Sequence, residues 1–500
     1  MVTEAIAAGR AILVTNRGPV EYYLDQHNTL KHRRGAGGVV TALLGAMQQL
    51  EATWVALAMT EGDRLAMKQA PGGVLTSPLP DRSMQLHYVT LPKKVYRDYY
   101  ETISNQVLWF TQHYLDHSDA LPSGESLRRA WENGYVLANQ AMADTVAAEI
   151  TREPSRVVVM LHDYHLYLAP ALIRAQHPSV VIEHFIHIPW PEIRYWQSST
   201  PELLTHAIFP GLLGNDLIGM QTRRDVENFL QGVREIVADA DVDLEERTVC
   251  WQGHLTRVRD YPISISVADE RKIVQSRAGR RAAERLRPSL GEMNIMRVDR
   301  IEPTKNIVLG FQAYDLLLQK HPELHGKVTF LAFLVPSRET LHMYRHYKDE
   351  VLSLIEQINQ KYAQPDWKPI HSFVQNDRTQ ALAALQSYDV LLVNPLIDGM
   401  NLVAKEGPIV NITDGVLLLS RTSGAFQQLE GACLPLSPGA SVETAEKLYE
   451  ALTLPKDQRR DLARRAREEV EQHDLEEWIE QQVHAINQII ETNPQPSSQS

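Results

Sequence analysis

Short apolar runs alternate with longer amphipathic segments along almost the whole chain. The runs are rich in branched residues and are followed by polar turn residues, which is typical of buried parallel strands. They lie at Ala11–Val14, Trp54–Ala58, Val157–Leu161, Val181–Ile186, Val328–Leu334 and Val390–Val393. Segments with helical spacing lie between them, at Leu127–Ile150, Asn306–Leu318 and Leu341–Tyr362. This order predicts an α/β fold of parallel sheets with helices on both faces.

The alternation falls into two sets, and a length of 500 residues favours two domains. We expect an N-terminal domain over residues 1–262 and a C-terminal domain over residues 263–470. The charged, helix-prone segment Ser264–Pro288 is interpreted as their connector. A C-terminal helix over residues 471–490 is expected to pack back on the N-terminal domain. Residues 491–500 are polar with two prolines, so a disordered tail is expected there.

Composition and the absence of certain sequence segments disfavour several classes of protein. The formal net charge of −12 disfavours a nucleic-acid binder, because no basic face compensates for it. Two distant cysteines, Cys250 and Cys433, form no disulfide framework and favour a reducing compartment. The first residues do not resemble a signal peptide, and no apolar run approaches the roughly 20 residues of a membrane helix. The sequence therefore predicts a soluble, cytoplasmic protein.

Unusual polar motifs follow the predicted strands, at the edge where parallel sheets bind ligands. The first contains Arg17, followed by the glycine-rich segment Gly35–Gly38 and a helix expected to start near Val39. Glycine N–H groups, a helix start and an arginine together suit an anion. A glycine-bearing turn with a solvated arginine explains this pattern equally well.

Two further motifs suit a sugar. Tyr100 and Trp109 flank polar residues, so an aromatic face could pack on a pyranose, although an amphipathic helix with a core tryptophan is the simpler explanation. Asp163 and His187 directly follow two predicted strands, in His-Asp-Tyr-His and His-Ile-Pro-Trp-Pro segments. We interpret them as partners of sugar hydroxyls. A metal site is disfavoured because no zinc spacing fits.

Two basic motifs lie in the second set of strands. Arg300 and Lys305 flank Pro303 at a predicted strand-to-helix turn, and paired cations there could stabilise a departing diphosphate. Arg338 follows the next predicted strand and could bind a second phosphate through its planar fork. The alternatives are a surface basic turn for the first motif and a helix cap with a solvated arginine for the second.

The most specific segment is Asp-Gly-Met-Asn-Leu-Val-Ala-Lys-Glu at residues 398–406. A turn at Asp398 is followed by a helix expected to begin near Asn401. The backbone N–H groups of Met400, Asn401 and Leu402 would then form an anion site at the helix start. Asp398 could accept hydrogen bonds from sugar hydroxyls, and Glu406 could accept them from a ribose.

No Asp-x-Asp motif follows a predicted strand, and no Ser/His/Asp order is evident. The sequence therefore supports neither a metal-dependent nor an acyl-transfer enzyme. No metal and no cofactor are expected.

Taken together and in this order, the motifs resemble the trehalose-6-phosphate synthase family over roughly residues 12–480. The resemblance implies a GT-B fold, with two facing Rossmann-like domains and the active site in the interdomain cleft. It implies that Arg300, Lys305, Asp163 and His187 are catalytic. It implies a donor pocket of Gly38, His187, Arg300, Lys305, Asp398, Met400, Asn401, Leu402 and Glu406. It implies a glucose 6-phosphate pocket of Arg17, Tyr100, Trp109, Asp163 and Arg338.

The implied activity is transfer of glucose from a nucleotide-glucose co-substrate to glucose 6-phosphate with retained configuration. Family members often have Asp-Tyr-Ser-Lys-Gly where this chain has Glu302–Asn306, and the loop Gly18–Arg34 is longer than in the shortest members. Glucosylglycerol-phosphate synthases and validamycin-type pseudo-glycosyltransferases are similar in scaffold, so another phosphorylated acceptor stays open. The donor base (uridine, guanosine or adenosine) stays open as well.

A third alternative is a silent sugar-phosphate sensor, which the intact Arg300, Lys305, Asp398 and Glu406 disfavour. The residues after Glu480 leave no room for a phosphatase domain, so a separate phosphatase is expected downstream. The other expected partners are the small-molecule substrates and a possible second copy of the chain, with no nucleic acid and no membrane.

Overall fold

The computed structural model describes residues 6, 10–35, 40, 43–44, 52–79, 84–115, 124–153 and 156–492. The chain divides into two compact units. Unit 1 comprises Met1–Pro262 and Glu476–Ser500, and unit 2 comprises Ile263–Leu475. Each unit contains one large sheet with a parallel centre.

The large sheet of unit 1 is doubly wound. The described strands of this unit are β1 (Arg10–Thr15), β2 (Val20–Leu24), β3 (Leu30–Arg34), β4 (Ala52–Leu57), β5 (Leu75–Thr76), β6 (Gln85–Val89), β7 (Val157–His162), β8 (Val181–Phe185), β9 (Leu217–Met220), β10 (Asp241–Asp243), β11 (Thr248–Trp251) and β12 (His254–Asp260). Their order is β10-β11-β12-β9-β8-β7-β1-β4-β6-β5. Six neighbouring strands of this sheet are all parallel, in the spatial order β6-β4-β1-β7-β8-β9. This is the order 3-2-1-4-5-6 of a Rossmann sheet.

Strands β2 and β3 form a separate antiparallel hairpin, with Val20 opposite Arg34. The interpretation of Gly18–Arg34 as a loop is therefore wrong. The hairpin turn is stabilised by Asp25, whose carboxylate accepts the N–H groups of His27 and Thr29 at 2.9 Å. Local turn chemistry of this kind produces a hairpin without a long apolar run.

The helices of unit 1 flank the sheet. Those with described bounds are Glu61–Gln69, Lys93–Arg97, Trp109–Gln112, Gly124–Ala130, Leu137–Arg152, Ala169–Gln176, Ile193–Ser199, Glu202–Leu212 and Arg223–Ile236, with π-helical turns at Asp98–Leu108 and Trp131–Val136 and 3₁₀ turns at Pro71–Gly73 and Tyr164–Leu166. The last described helix, Leu475–Thr492, extends two residues into the tail that was expected to be disordered. Its Trp478 packs edge-on against Phe185 at 5.1 Å and donates from Nε1 to the Tyr261 carbonyl at 3.2 Å.

Unit 2 has the same strand order. Its described strands are β13 (Met293–Arg300), β14 (Val328–Val335), β15 (Ile370–Val374), β16 (Val390–Val393), β17 (Val416–Ser420) and β18 (Leu434–Leu436). They are all parallel in the order β15-β14-β13-β16-β17-β18, which is again 3-2-1-4-5-6.

The helices of unit 2 include the segment Ser264–Pro288, which was interpreted as a connector. Two helices occupy it, and each begins at a serine, Ser266 or Ser276, whose side chain accepts a backbone N–H. The helices are Val267–Gln275, Arg277–Leu286, Ile307–Lys320, His342–Tyr362, Arg378–Leu385, Val403–Val410, Phe426–Leu429, Ser441–Thr453 and Lys456–Gln472, with 3₁₀ turns at Arg287–Ser289, Pro303–Lys305, Pro322–Leu324 and Glu430–Ala432.

All six apolar runs predicted as strands are strands, with ends shifted by at most two residues. They are buried because helices cover both faces of each sheet; Ala11 to Val14, for example, are at most 2% exposed. Among the helices of the described residues, none is long and apolar enough to cross a membrane.

Candidate active site

Both sheets change their direction of winding at their first strand. In unit 1 the change lies between β1 and β7, and in unit 2 it lies between β13 and β16. Ligands of open parallel sheets bind outside the carboxyl ends of such strand pairs. The predicted residues at these ends are Arg17 and Asp163 in unit 1, and Arg300, Lys305 and Asp398 in unit 2.

Arg17 lies two residues beyond β1 and is exposed. Its Nη2 lies 3.4 Å from the hydroxyl oxygen of Tyr100. The Tyr100 ring stacks on Tyr96 at 5.4 Å and on His165 at 5.8 Å. The structure therefore brings two predicted acceptor residues together, as a guanidinium beside a stacked aromatic surface, which suits a phosphorylated sugar.

Tyr100 and Trp109 are placed by an unusual helix. The run that starts at Lys93 widens to π geometry over Asp98–Leu108 and returns to α geometry at Trp109. Such widened turns are frequent at functional sites. Trp109 itself is 6% exposed and stacks on His113 at 3.8 Å, so its surroundings fit the simpler explanation of a core residue.

Asp163 follows β7 with φ = 75°, a conformation that is costly for a residue with a Cβ. Two backbone contacts hold it there: its N–H donates to Phe185 O at 2.8 Å, and its Oδ1 lies 3.4 Å from the N–H of His187. The ends of β7 and β8 are thereby tied together. Strain that is held by its surroundings is typical of a functional residue, and Asp163 and His187 were both predicted as such.

His184 and His187, which lie near this point, are neutral. Burial first, and then neighbouring His184, lowers the pKa of His187 to about 3, and burial lowers the pKa of His184 to about 4. His187 Nε2 lies 3.3 Å from His162 Nδ1. Neutral imidazoles can exchange hydrogen bonds with sugar hydroxyls but contribute no fixed charge. Among the described residues, no group of three or more His, Cys, Asp or Glu side chains could hold a metal ion.

The corresponding end of unit 2 is strongly charged. Glu302 is fully buried, and its Oε1 accepts from Arg338 Nη1 at 2.8 Å, lies 3.2 Å from Arg300 Nη1 and accepts from Ser337 Oγ at 2.7 Å. Burial alone raises the pKa of this carboxyl, but Arg300, Arg338 and Lys305 outweigh it and hold the pKa at about 2. Glu302 is therefore an anion that joins two predicted phosphate-binding arginines.

Lys305 follows in a 3₁₀ turn, and its ammonium group pairs with Asp398. Asn401 Nδ2 donates to the same Asp398 oxygen at 3.0 Å. The two motifs that carry Lys305 and Asp398 thus meet across β13 and β16. A lysine fixed by a carboxylate is positioned to stabilise negative charge in a ligand.

Arg297 positions this turn from below. It is fully buried and pairs with Asp299 at 2.8 Å. Its Nη2 also donates to Lys305 O at 3.1 Å and to Asn394 Oδ1 at 3.2 Å. The backbone of Lys305 is therefore anchored to the end of β16, a role that the sequence did not reveal.

The helix after Asp398 begins at Val403 and not near Asn401, as was predicted. The reason is Asn401, whose φ of 76° is incompatible with a right-handed helix. Within the part of the chain that the structure describes, the N–H groups of Met400, Asn401 and Leu402 donate to no acceptor. Three N–H donors just before a helix start can bind an anion, as the sequence predicts for this segment.

Glu406 lies in a second charged cluster. Arg378 Nη2 binds Glu270 and lies 3.6 Å from Glu406 Oε1. Burial first, and then Glu406, raises the pKa of Glu270 to about 7, and burial also raises the pKa of Glu406. By contrast, Lys405 is buried and donates to Ile263 O at 2.7 Å, so it stabilises the fold.

A family model described as glycosyltransferase family 20 matches residues 9–488. The chain belongs to this family.

Curated relatives of two kinds are similar to this family 20 chain. An α,α-trehalose-phosphate synthase (UDP-forming) of Dictyostelium discoideum is 29% identical over 94% of the chain, which spans 61% of that relative's length. The trehalose-6-phosphate synthase of Mycobacterium marinum is 29% identical over 97% of the chain and 95% of its own length. A validamine 7-phosphate valienyltransferase of Streptomyces hygroscopicus is also 29% identical, over 90% of the chain and 88% of its own length.

Solved structures confirm the predicted GT-B fold with two Rossmann-like domains. An Escherichia coli structure described as trehalose-6-phosphate bound with UDP-2-fluoro glucose matches with a TM-score of 0.81 and 26% identity, over 96% of this chain and 99% of that one. A synthase of Burkholderia xenovorans in complex with glucose-6-phosphate matches equally well, over 96% and 100%.

Gly38, a predicted donor residue, lies outside the described residues. Sequence reasoning missed four charged residues of unit 2: Arg297, Glu302, Glu270 and Arg378. Glu302 could have been predicted from the sequence, because an acidic side chain between Arg300 and Lys305 at a strand end does not belong to the apolar core. Glu270 and Arg378 are more than 100 residues apart, so no local pattern could join them.

Proposed function

We propose that this family 20 chain moves glucose from a nucleotide-glucose donor to glucose 6-phosphate and forms trehalose 6-phosphate. The observation that carries the proposal is the fixed arrangement of Lys305, Asp398 and Arg300 at the ends of β13 and β16. Relatives named as trehalose-6-phosphate synthases, and solved structures that hold a UDP-sugar analogue or glucose-6-phosphate, support it.

The donor would be bound by unit 2. Arg300 and Lys305 bind its diphosphate, and the N–H groups of residues 400–402 add donors. Asp398 accepts from hexose hydroxyls and Glu406 from the ribose. As the bond to the sugar breaks, negative charge grows on the diphosphate, and cations already in place stabilise that transition state without reorganisation. Uridine is proposed as the base because the relatives above include UDP-forming enzymes.

The acceptor would be bound by Arg17, Tyr100, Trp109, Asp163 and Arg338. The two arginines bind the phosphate of glucose 6-phosphate. Stacked aromatic rings contact the C–H face of the sugar, and the Asp163 carboxylate accepts from its hydroxyls. Holding both substrates in a reactive geometry supplies much of the rate enhancement in such a site.

The anomeric configuration of the transferred glucose is retained without a protein nucleophile. The diphosphate leaves with the electron pair of the broken C–O bond. The acceptor hydroxyl then attacks the anomeric carbon from the same face of the sugar that the diphosphate has left. The hydroxyl proton passes to the departing phosphate oxygen, so atoms and charges balance. Neutral His187 hydrogen-bonds the transferred hexose, and no side chain exchanges a proton in this scheme.

A substrate matrix tests the proposal. Purified protein is mixed with UDP-, GDP- or ADP-glucose and with glucose 6-phosphate, glycerol 3-phosphate or a cyclitol phosphate, and nucleotide release is measured. We expect release with UDP-glucose and glucose 6-phosphate. Release only with glycerol 3-phosphate would contradict the acceptor, and no release with any pair would favour a non-catalytic sensor.

A second candidate function is transfer to a cyclitol phosphate. The similarity to the valienyltransferase equals that to the synthases in identity, which favours keeping this acceptor in the matrix. Arg17 and Tyr100, already in contact, favour glucose 6-phosphate.

Three further points are proposed with this function. A separate phosphatase releases free trehalose from the product. The protein works in the cytoplasm, since Cys250 and Cys433 are both free thiols. The reaction needs no metal or other cofactor, because Lys305 and Arg300 supply the positive charge.

A further inference from the structure

One carboxylate oxygen contacts both predicted phosphate-binding arginines of unit 2. Glu302 Oε1 lies 2.8 Å from Arg338 Nη1 and 3.2 Å from Arg300 Nη1. The backbone fixes this meeting point, because β13 and β14 pair in parallel register with Arg300 opposite Val335, and Ile301 N donates to Val335 O at 2.8 Å. Glu302 and Ser337 therefore follow adjacent strand ends.

Burial makes this contact consequential. Glu302 is fully buried, whereas the Arg300 side chain is 47% exposed and that of Arg338 is 15% exposed. A buried anion is stable only with charged partners, and the two arginines supply them. An arginine has five N–H donors, of which Arg338 donates one, from Nη1, to Glu302 Oε1.

Other contacts restrict Arg338 further. Its guanidinium lies over the Tyr344 ring at 5.6 Å, and Ser337 Oγ donates to Glu302 at 2.7 Å. A long, flexible arginine binds phosphate more tightly when its orientation is set in advance. Glu302 is the group that sets it for both arginines at once.

We propose that Glu302 is a positioning residue shared by the donor-diphosphate and acceptor-phosphate contacts of this site, acting through Arg300 and Arg338. The inference rests on the proposed function for the identity of the two substrates. It adds a link between them: one buried carboxylate, which touches neither substrate, sets the affinity for both.

The test compares three variants of the full chain with the wild-type protein. The Glu302→Gln substitution keeps the shape of the side chain and removes its charge. KM for UDP-glucose and KM for glucose 6-phosphate are then both expected to rise roughly ten-fold, the scale of a lost charge-assisted hydrogen bond. Arg338→Ala should raise KM mainly for glucose 6-phosphate. Glu302→Asp keeps the charge but shortens the side chain, so it should raise both KM values by less than Gln does.

A matched control lies in the same sheet, at the amino-terminal end of its strand β16. Asp389 binds Arg459 at 2.9 Å and the Asn294 N–H at 2.8 Å, just before β16. Asp389→Asn loses a comparable carboxylate–arginine contact and should lower Tm while leaving both KM values unchanged. A Glu302→Gln variant that behaves in this way would show a merely structural role, and a rise in only one KM would refute the shared role.

Binding measurements keep the inference separate from the proposed reaction. If the wild-type protein releases no nucleotide from this substrate pair, the proposed function fails, and calorimetric titration with UDP and with inorganic phosphate still tests Glu302. Weaker binding of both probes to Glu302→Gln supports the shared role, and unchanged binding of either contradicts it. If the Gln variant does not fold, Glu302→Asp gives the same two readouts.

Discussion

The parallel cores of units 1 and 2 have the same strand order, but the side chains after their strands differ in charge. Each contains a 3-2-1-4-5-6 parallel sheet, and in each some of the predicted site residues, such as Asp163 and Lys305, follow the strands at the change of winding. In unit 1 these residues lie beside neutral histidines and stacked aromatic rings, whereas in unit 2 they form a network of charges. Sheet topology thus determines where a ligand binds, and the side chains after the strands determine what charge it meets.

Two buried glutamates make the difference concrete. Glu183 on β8 and Glu302 after β13 are both 0% exposed. Neither oxygen of Glu183 has a hydrogen-bond partner among the described residues, and burial raises its pKa well above the ordinary value. Glu302 has cations around it, and its pKa falls to about 2. Equal burial therefore gives a neutral acid in one unit and an anion in the other, because only one has counter-ions.

If unit 2 supplies the charge for catalysis, the largest effect should come from Lys305. Lys305→Ala removes the ammonium group that pairs with Asp398, and we expect turnover to fall by roughly 10²-fold or more, the scale of one lost electrostatic contact in a transition state. Nucleotide release under saturating substrates measures it. Lys361→Ala, which breaks a surface pair with Asp315, is the control and should keep full turnover. A Lys305→Ala enzyme with wild-type turnover would remove the catalytic role from unit 2.

If unit 1 supplies an acceptor surface, its mutations should change binding more than turnover. Arg17→Ala is expected to raise KM for glucose 6-phosphate roughly ten-fold, because a charged hydrogen bond to phosphate is lost. KM for the donor should change little. Steady-state kinetics with each substrate varied separate the two. Arg33→Ala, an exposed arginine paired with Glu21 in the same unit, should change neither value. A raised donor KM in Arg17→Ala would contradict the division of roles.

Much of this architecture could be predicted from the sequence. Apolar runs such as Val157–Leu161 are long enough to be strands and too short for helices, so the fold class followed from pattern alone. The hairpin at Val20–Arg34 was missed because alternation in a short, half-exposed segment is weak. The late helix start at Val403 was missed because the left-handed conformation of Asn401 depends on its surroundings.

Candidate site residues at strand ends could also be predicted, because each follows its own strand. Partners that depend on packing could not. Glu302 was visible as an acid between two cations, but its contact with Arg338 requires the register of β13 and β14. The pairing of Arg378 with Glu270 requires two helices that are distant in sequence to meet.

A smaller effect, on stability, should distinguish the second charged cluster of unit 2. Burial and Glu406 raise the pKa of Glu270 to about 7, from 4.5. The folded state then keeps a proton that the unfolded chain loses, so this group's contribution to the free energy of unfolding falls as the pH rises from about 4.5 to 7. Glu270→Gln abolishes that term. Its Tm relative to the wild-type protein should therefore increase across this window, on the order of a few degrees.

Thermal unfolding followed by circular dichroism at pH 5, 6, 7 and 8 measures this difference. Asp269, Arg378 and Glu406 are the charged neighbours that contribute to it. Glu356→Gln, on the exposed side of the helix His342–Tyr362, is the control and should show a constant difference from the wild-type Tm. Parallel curves for Glu270→Gln and the wild-type protein would show that the proton is not held.

The smallest effect on activity is expected at Glu183, and it tests the comparison of the two buried acids directly. Burial raises the pKa of Glu183 well above its ordinary value of 4.5, so the folded state holds a proton at pH values where the unfolded chain has lost it. The contribution of this group to the free energy of unfolding therefore falls as the pH rises above 4.5. Glutamine has the shape of the protonated acid and avoids this cost. Glu183→Gln should therefore keep wild-type kinetics and have a Tm at pH 8 that is equal to or higher than that of the wild-type protein. The same substitution at Glu302 should weaken the binding of both substrates. A marked loss of Tm in Glu183→Gln at pH 8 would mean that Glu183 is ionised and has a counter-ion, and that the two units do not differ in this way.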